Sequence, residues 1–220
     1  MKVLEDIQND IASFKADTLS LEKFLTGTRV SYNFFQHKFP EVQSEFNEKE
    51  RSEAEKEGMS IFENLNGSVA TYEREIFKYC FINLIARTDA FLNDLARSIY
   101  IWKKPSLSEQ DRDKAILKYS HSSFQSKLKH LKKEFGLVFP HIEEKEATIT
   151  ELFSTRNIIL HNNGLVNETY LKINQNSSLE IGSVREVNED YLKLTFVMAV
   201  IIAKSTQEQV VQKAGQSEQS

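Results

Sequence analysis

Between Val69 and Trp102 apolar residues recur with a helical period. Phe77, Cys80, Phe81, Leu84, Thr88, Phe91, Leu92, Leu95, Ile99 and Trp102 form one continuous face at about 3.6 residues per turn. No glycine or proline interrupts the stretch, which ends before Pro105, where Ser106 and Ser108 offer linker and cap chemistry. Three prolines, Pro40, Pro105 and Pro140, and seven glycines in 220 residues suit long helices and argue against a turn-rich sandwich or barrel. The expected fold class is all-α.

Around this helix the sequence predicts others. Leu4, Ile7, Ile11, Phe14, Leu21, Phe24 and Leu25 make an amphipathic helix over residues 2–25, stopped near Gly27. Tyr32, Phe34, Phe35 and Phe39 before Pro40 read as a packed connection, and residues 41–57, dense in Glu and Lys, as a solvated helix broken at Asn66-Gly67. A shorter helix spans residues 122–135 with Phe124, Leu128, Leu131 and Phe135 inward, followed by Gly136 and Pro140. Another runs from near Glu144 to His161-Asn162-Asn163-Gly164, where asparagine and glycine suit a left-handed helix end. Residues 169–173 and 179–184, flanking a polar turn, form the one expected β-hairpin. Asn188 then caps a last helix burying Leu192, Phe196, Val200 and Ala203. The implied organisation is an N-terminal helical extension (1–66), a helical domain (69–212) and a polar, disordered tail (213–220).

Composition excludes several classes. Cys80 is the single cysteine, so no internal disulfide forms and a reducing, cytoplasmic home is expected. The net charge of −4 gives no bulk attraction to nucleic acid or membrane, so any such binding needs a local patch. Residues 1–6 lack the apolar core of a signal peptide, and the most apolar run, 196–203, is far shorter than the roughly 20 residues of a membrane span. A soluble protein without a membrane partner is expected.

The chemistry concentrates in Arg156-Asn157-Ile158-Ile159-Leu160-His161. On a helical wheel Ile149, Leu152, Phe153 and Leu160 share one side, with Arg156 in their midst. An arginine in an apolar stripe is costly unless a carboxylate or an anionic ligand meets it. Asn157 and His161, four apart, share a flanking face. A guanidinium, an amide and an imidazole therefore converge at one helix end. The bland alternative is a structural arginine with a capping histidine, whose charge the helix dipole favours.

This segment resembles the Arg-x(4–6)-His signature of the HEPN superfamily, with the asparagine that often follows its arginine. The helical order around it is similar too, so the resemblance covers roughly residues 69–212. It implies a HEPN-like helical bundle and a metal-independent endoribonuclease, in a toxin–antitoxin or phage-defence setting. It also implies a homodimer with two signatures lining one cleft, RNA as substrate, no cofactor, and an antitoxin or defence-system partner. Arg156, Asn157 and His161 would be catalytic, and an acidic residue of an earlier helix, here Asp89 (with Asp94 and Glu73 as substitutes), would orient the arginine. In HEPN toxins paired with nucleotidyltransferases a tyrosine stands two residues after the histidine; this chain has Asn163 there. The other function the resemblance allows is a non-catalytic HEPN-type module for RNA binding or protein interaction.

Lys127, Lys129, Lys132 and Lys133, with His130, could hold RNA phosphates, although such a run is more often the solvated face of an amphipathic helix. His37, His121 and His141 lack companions at metal-ligand spacing, so no metal site is expected. Asn167-Glu168-Thr169 and Asn176-Ser177-Ser178 match glycosylation acceptors by accident, and Cys80 reads as an inert core residue. No phosphate-binding glycine loop, nucleophile elbow or metalloprotease motif occurs.

Overall fold

The computed structural model describes residues 2–47, 52 and 69–217, with side-chain surroundings for 5–31, 52 and 73–213. Its helices are α1 (Lys2–Asn47), α2 (Val69–Lys103), α3 (Glu109–Ser120), α4 (Phe124–Phe135), α5 (Pro140–Glu143), α6 (Glu146–Asn162), α7 (Glu168–Ile173) and α8 (Glu189–Ser217). The protein is mostly helical, and no strand occurs among the described residues. None of these helices is long and apolar enough to cross a membrane.

The long stripe of α2 forms the spine of the core. Cys80, Phe81, Leu84, Phe91, Leu92, Leu95 and Ile99 are buried in one cluster with Ile7, Ile11, Phe14 and Leu21 of α1. The same cluster takes in Ile149 and Leu152 of α6 and Leu192, Met198, Ala199, Ile202 and Ala203 of α8. Phe14 stacks on Phe91 with centroids 4.6 Å apart. The first helix thus shares the core of the segments that follow it. Burial also pushes the Cys80 thiol up to about 11, which disfavours the reactive thiolate.

Several boundaries differ from expectation for physical reasons. The first helix continues through Gly27, whose place in a helix costs only roughly 1 kcal/mol, and through Pro40. Most of the expected helix over 41–57 lies outside the described residues. An unforeseen helix, α3, follows Pro105: Ser108 caps it by accepting from the Asp111 N–H at 3.2 Å, and it buries only Ile116 and Tyr119. So sparse an apolar pattern gives little periodic signal.

The expected β-hairpin does not form. Asn167 Oδ1 accepts from the Tyr170 N–H at 2.9 Å, and this cap turns residues 168–173 into a short helix that buries Tyr170. The returning chain pairs further upstream, in an isolated bridge between Leu165 and Val184. The Arg185 N–H donates to the Gly164 carbonyl at 2.9 Å. In α8, Leu192 and Ala203 are buried as expected, but Phe196 is only half-buried and Val200 faces solvent; Thr195, Met198, Ala199 and Ile202 complete the inner face. That helix also extends to Ser217, into the stretch expected to be a disordered tail.

Candidate functional site

The C-terminal end of α6 carries Arg156, Asn157 and His161. Asn163 adopts the left-handed conformation, φ 51°, and the Gly164 N–H closes the helix by donating to the Ile158 carbonyl at 3.0 Å. Asparagine tolerates that conformation better than most side chains. The turn leaves Asn157, Leu160 and His161 exposed. Leu160 therefore leaves the apolar stripe assigned to it. The inward face instead runs through Ile149, Thr150, Leu152, Ser154, Thr155, Ile158 and Ile159.

Arg156 lies at the edge of that face, half-buried. Its Nε is buried without a hydrogen-bond partner, and its Nη1 donates to Asn157 Oδ1 at 3.3 Å. No carboxylate pairs with it among the described residues. A guanidinium so placed keeps its donors available to an incoming anion. His161 stands in the last turn of the same helix, exposed to solvent.

The structure does not bring Asp89 to Arg156. Asp89 Oδ1 accepts from Lys127 Nζ at 2.5 Å, and the same ammonium donates to Asn93 Oδ1 at 3.0 Å. Lys127 is only 1% exposed, so this lysine is an internal ion-pair partner, unavailable to phosphate. On α4 it lies between Phe124 and Leu131 of the buried face, apart from the outward lysines with which its residue type groups it. Lys129, Lys132 and Lys133 do face solvent, Lys132 pairing with Glu143 at 3.2 Å.

A second polar centre lies earlier on α6. Glu151 Oε1 accepts from the Tyr170 hydroxyl at 2.6 Å, from Arg185 Nε at 2.9 Å and from Thr155 Oγ1 at 3.1 Å. Its Oε2 accepts from the Tyr191 hydroxyl at 2.6 Å. The Arg185 guanidinium lies 3.9 Å from the centroid of the Tyr191 ring. One carboxylate thus ties α6 to α7, to the loop at 185 and to α8. Sequence reasoning missed it, because only Glu151 and Thr155, four apart on one helix, are near each other in sequence; the two tyrosines and the arginine arrive through the fold.

Burial and the neighbouring carboxylate push the Tyr170 hydroxyl up to about 12, and push that of Tyr191 higher still. Because the folded-state values are raised, the unfolded chain loses these protons first, near pH 10. The stabilisation is present below pH 10 and is lost as pH rises toward 12. Urea midpoints measured from pH 8 to 12 should be flat to about pH 10 and then fall. Replacing Tyr170 and Tyr191 by phenylalanine should remove much of that fall, and an unchanged profile in the double variant would contradict the assignment.

Among the described residues no group of three His, Cys, Asp or Glu side chains could hold a metal ion. No family model, curated protein or solved structure matches the chain.

Proposed function

We propose that this chain is a HEPN-type endoribonuclease with a HEPN-like helical bundle, acting as a cytoplasmic homodimer on RNA in a toxin–antitoxin or defence setting. The observation that carries the reading is the half-buried Arg156, with no carboxylate partner among the described residues, beside the exposed Asn157 and His161. A half-buried guanidinium whose Nε lacks a partner favours an anion, and RNA offers one at each phosphate. The motif resemblance names the chemistry.

In that chemistry the ribose 2′-oxygen attacks the adjacent phosphorus, forming the O2′–P bond as the P–O5′ bond breaks. One His161 accepts the 2′-hydroxyl proton while the His161 of a second copy protonates the departing 5′-oxygen. Arg156 holds the charge that grows on the non-bridging oxygens, and Asn157 steadies Arg156. The products are a 2′,3′-cyclic phosphate and a 5′-hydroxyl. Since one chain supplies one such imidazole, the dimer completes the acid–base pair. Exposed Leu160, Leu165 and Val184, at 44%, 38% and 56%, give apolar surface for that contact around the helix end.

No step needs a metal. The test is cleavage of a synthetic RNA in excess chelator, alongside the same sequence with 2′-deoxyribose. Cleavage of the RNA alone, leaving cyclic-phosphate ends, is expected; activity lost with chelator and restored by magnesium would overturn the mechanism. Arg156→Lys should be nearly as damaging as Arg156→Ala, because a point ammonium cannot reproduce the forked contact. A binding module without catalysis is the second reading. It is favoured by His161 having no hydrogen-bond partner among the described residues to orient its ring.

A further inference from the structure

A cleft of about 580 Å³ opens beside Glu151, between the first half of α6, the turn at 174–178 and Gln125 of α4. That volume suits a nucleoside-sized ligand. The side chains offered to it are mostly neutral hydrogen-bonding groups: Gln125, Thr148, Gln175, Asn176 and Ser178. The two charges at its wall, Glu151 and Arg185, neutralise each other in a pair at 2.9 Å. Amides carry donor and acceptor together, which matches the edge of a nucleobase and not a bare anion.

Arg185 adds a platform. It lines the cleft while its guanidinium stacks over the Tyr191 ring and its Nε is fixed by Glu151. A planar guanidinium held in this way can stack an unpaired base on its free side. The basic face of α4 adjoins the cleft, since Gln125 also borders a second hollow that contains Lys129 and Lys132. Glu143 and Glu146 border that hollow as well, so Lys129 is the cation there without a carboxylate partner among the described residues.

We propose that this cleft is a base-binding subsite for single-stranded RNA, with Gln125 and Asn176 reading the base edge and Lys129 holding a neighbouring phosphate. The proposal rests on the reading of the protein as acting on RNA. Glu151 and His161 are ten residues apart on α6, about 15 Å along the helix axis. The bound base therefore belongs to a nucleotide away from the scissile phosphate, and the subsite sets preference without taking part in the reaction.

The experiment uses the full chain and the double variant Gln125→Ala/Asn176→Ala, whose side chains are exposed and whose removal leaves the core intact. The four ribonucleosides are titrated while the amide resonances of residues 147–151 and 174–178 are followed, and cleavage is assayed on RNAs randomised at single positions. Binding of one or more nucleosides, weakened about tenfold in the variant, with KM raised and base preference relaxed at constant kcat, is the expected result. If cleavage depends on His161 but no nucleoside moves those resonances and the variant keeps its KM and preference, the subsite is overturned while the nuclease reading stands. If nucleosides bind in the cleft but His161→Ala changes nothing, the subsite stands and the nuclease reading falls.

Discussion

His161→Ala is expected to lower RNA cleavage by on the order of 10² to 10⁴ while RNA affinity stays close to that of the unmodified chain. The separation follows from where the groups lie. The imidazole sits exposed in the last turn of α6, with no buried contacts to lose, so its removal leaves the fold intact. In the proposed reading, affinity for phosphate would rest on Arg156, whose Nε is buried without a partner, and on the outward lysines of α4. Arg156→Ala should therefore weaken binding and turnover together. Mixing an excess of His161→Ala chains with the unmodified chain adds a test of assembly, because in the proposed shared cleft one imidazole would be missing and activity should fall below that of the unmodified chain alone. Cells expressing the chain and its His161→Ala form should differ in growth and RNA integrity. If both grow alike and both leave RNA whole, the protein is a binding module.

How much of this could be read in the sequence depends on whether a feature is local. The α2 stripe was legible because ten inward residues repeat on one face over nearly the whole helix. The end of α6 was legible because Asn163 and Gly164 carry the conformational signal themselves. By contrast, the short apolar run at 169–173 fits either a strand or a helix, and the Asn167 cap decides for the helix. Lys127 shows a different limit. Its identity reads as solvent-facing, and only the arrival of Asp89 and Asn93 from α2 explains its burial. The Glu151 centre was illegible for the same reason, since its donors come from residues 155, 170, 185 and 191.

That centre carries the largest stability prediction. Glu151→Ala removes the acceptor for two tyrosine hydroxyls and for the Arg185 guanidinium, whose side chain is 24% exposed. Breaking one side of a largely buried pair costs about 3–5 kcal/mol, because the remaining charge stays desolvated without its partner. For a chain of this size each kcal/mol moves the melting temperature by roughly 2–4 °C, so a drop of about 6–20 °C is expected by calorimetry. The double change Glu151→Leu/Arg185→Met should recover part of the loss, since it removes both charges and keeps apolar volume. A melting temperature within about 2 °C of the unmodified chain for Glu151→Ala would mean that the pair is solvated enough to be dispensable. The consequence also reaches the signature. Glu151 fixes α6 against α7 and α8 from a point ten residues before His161, so loosening it should lower cleavage through misplacement of Arg156 and His161. Unlike the loss caused by His161→Ala, that defect should ease on cooling, as the folded arrangement of α6 is restored.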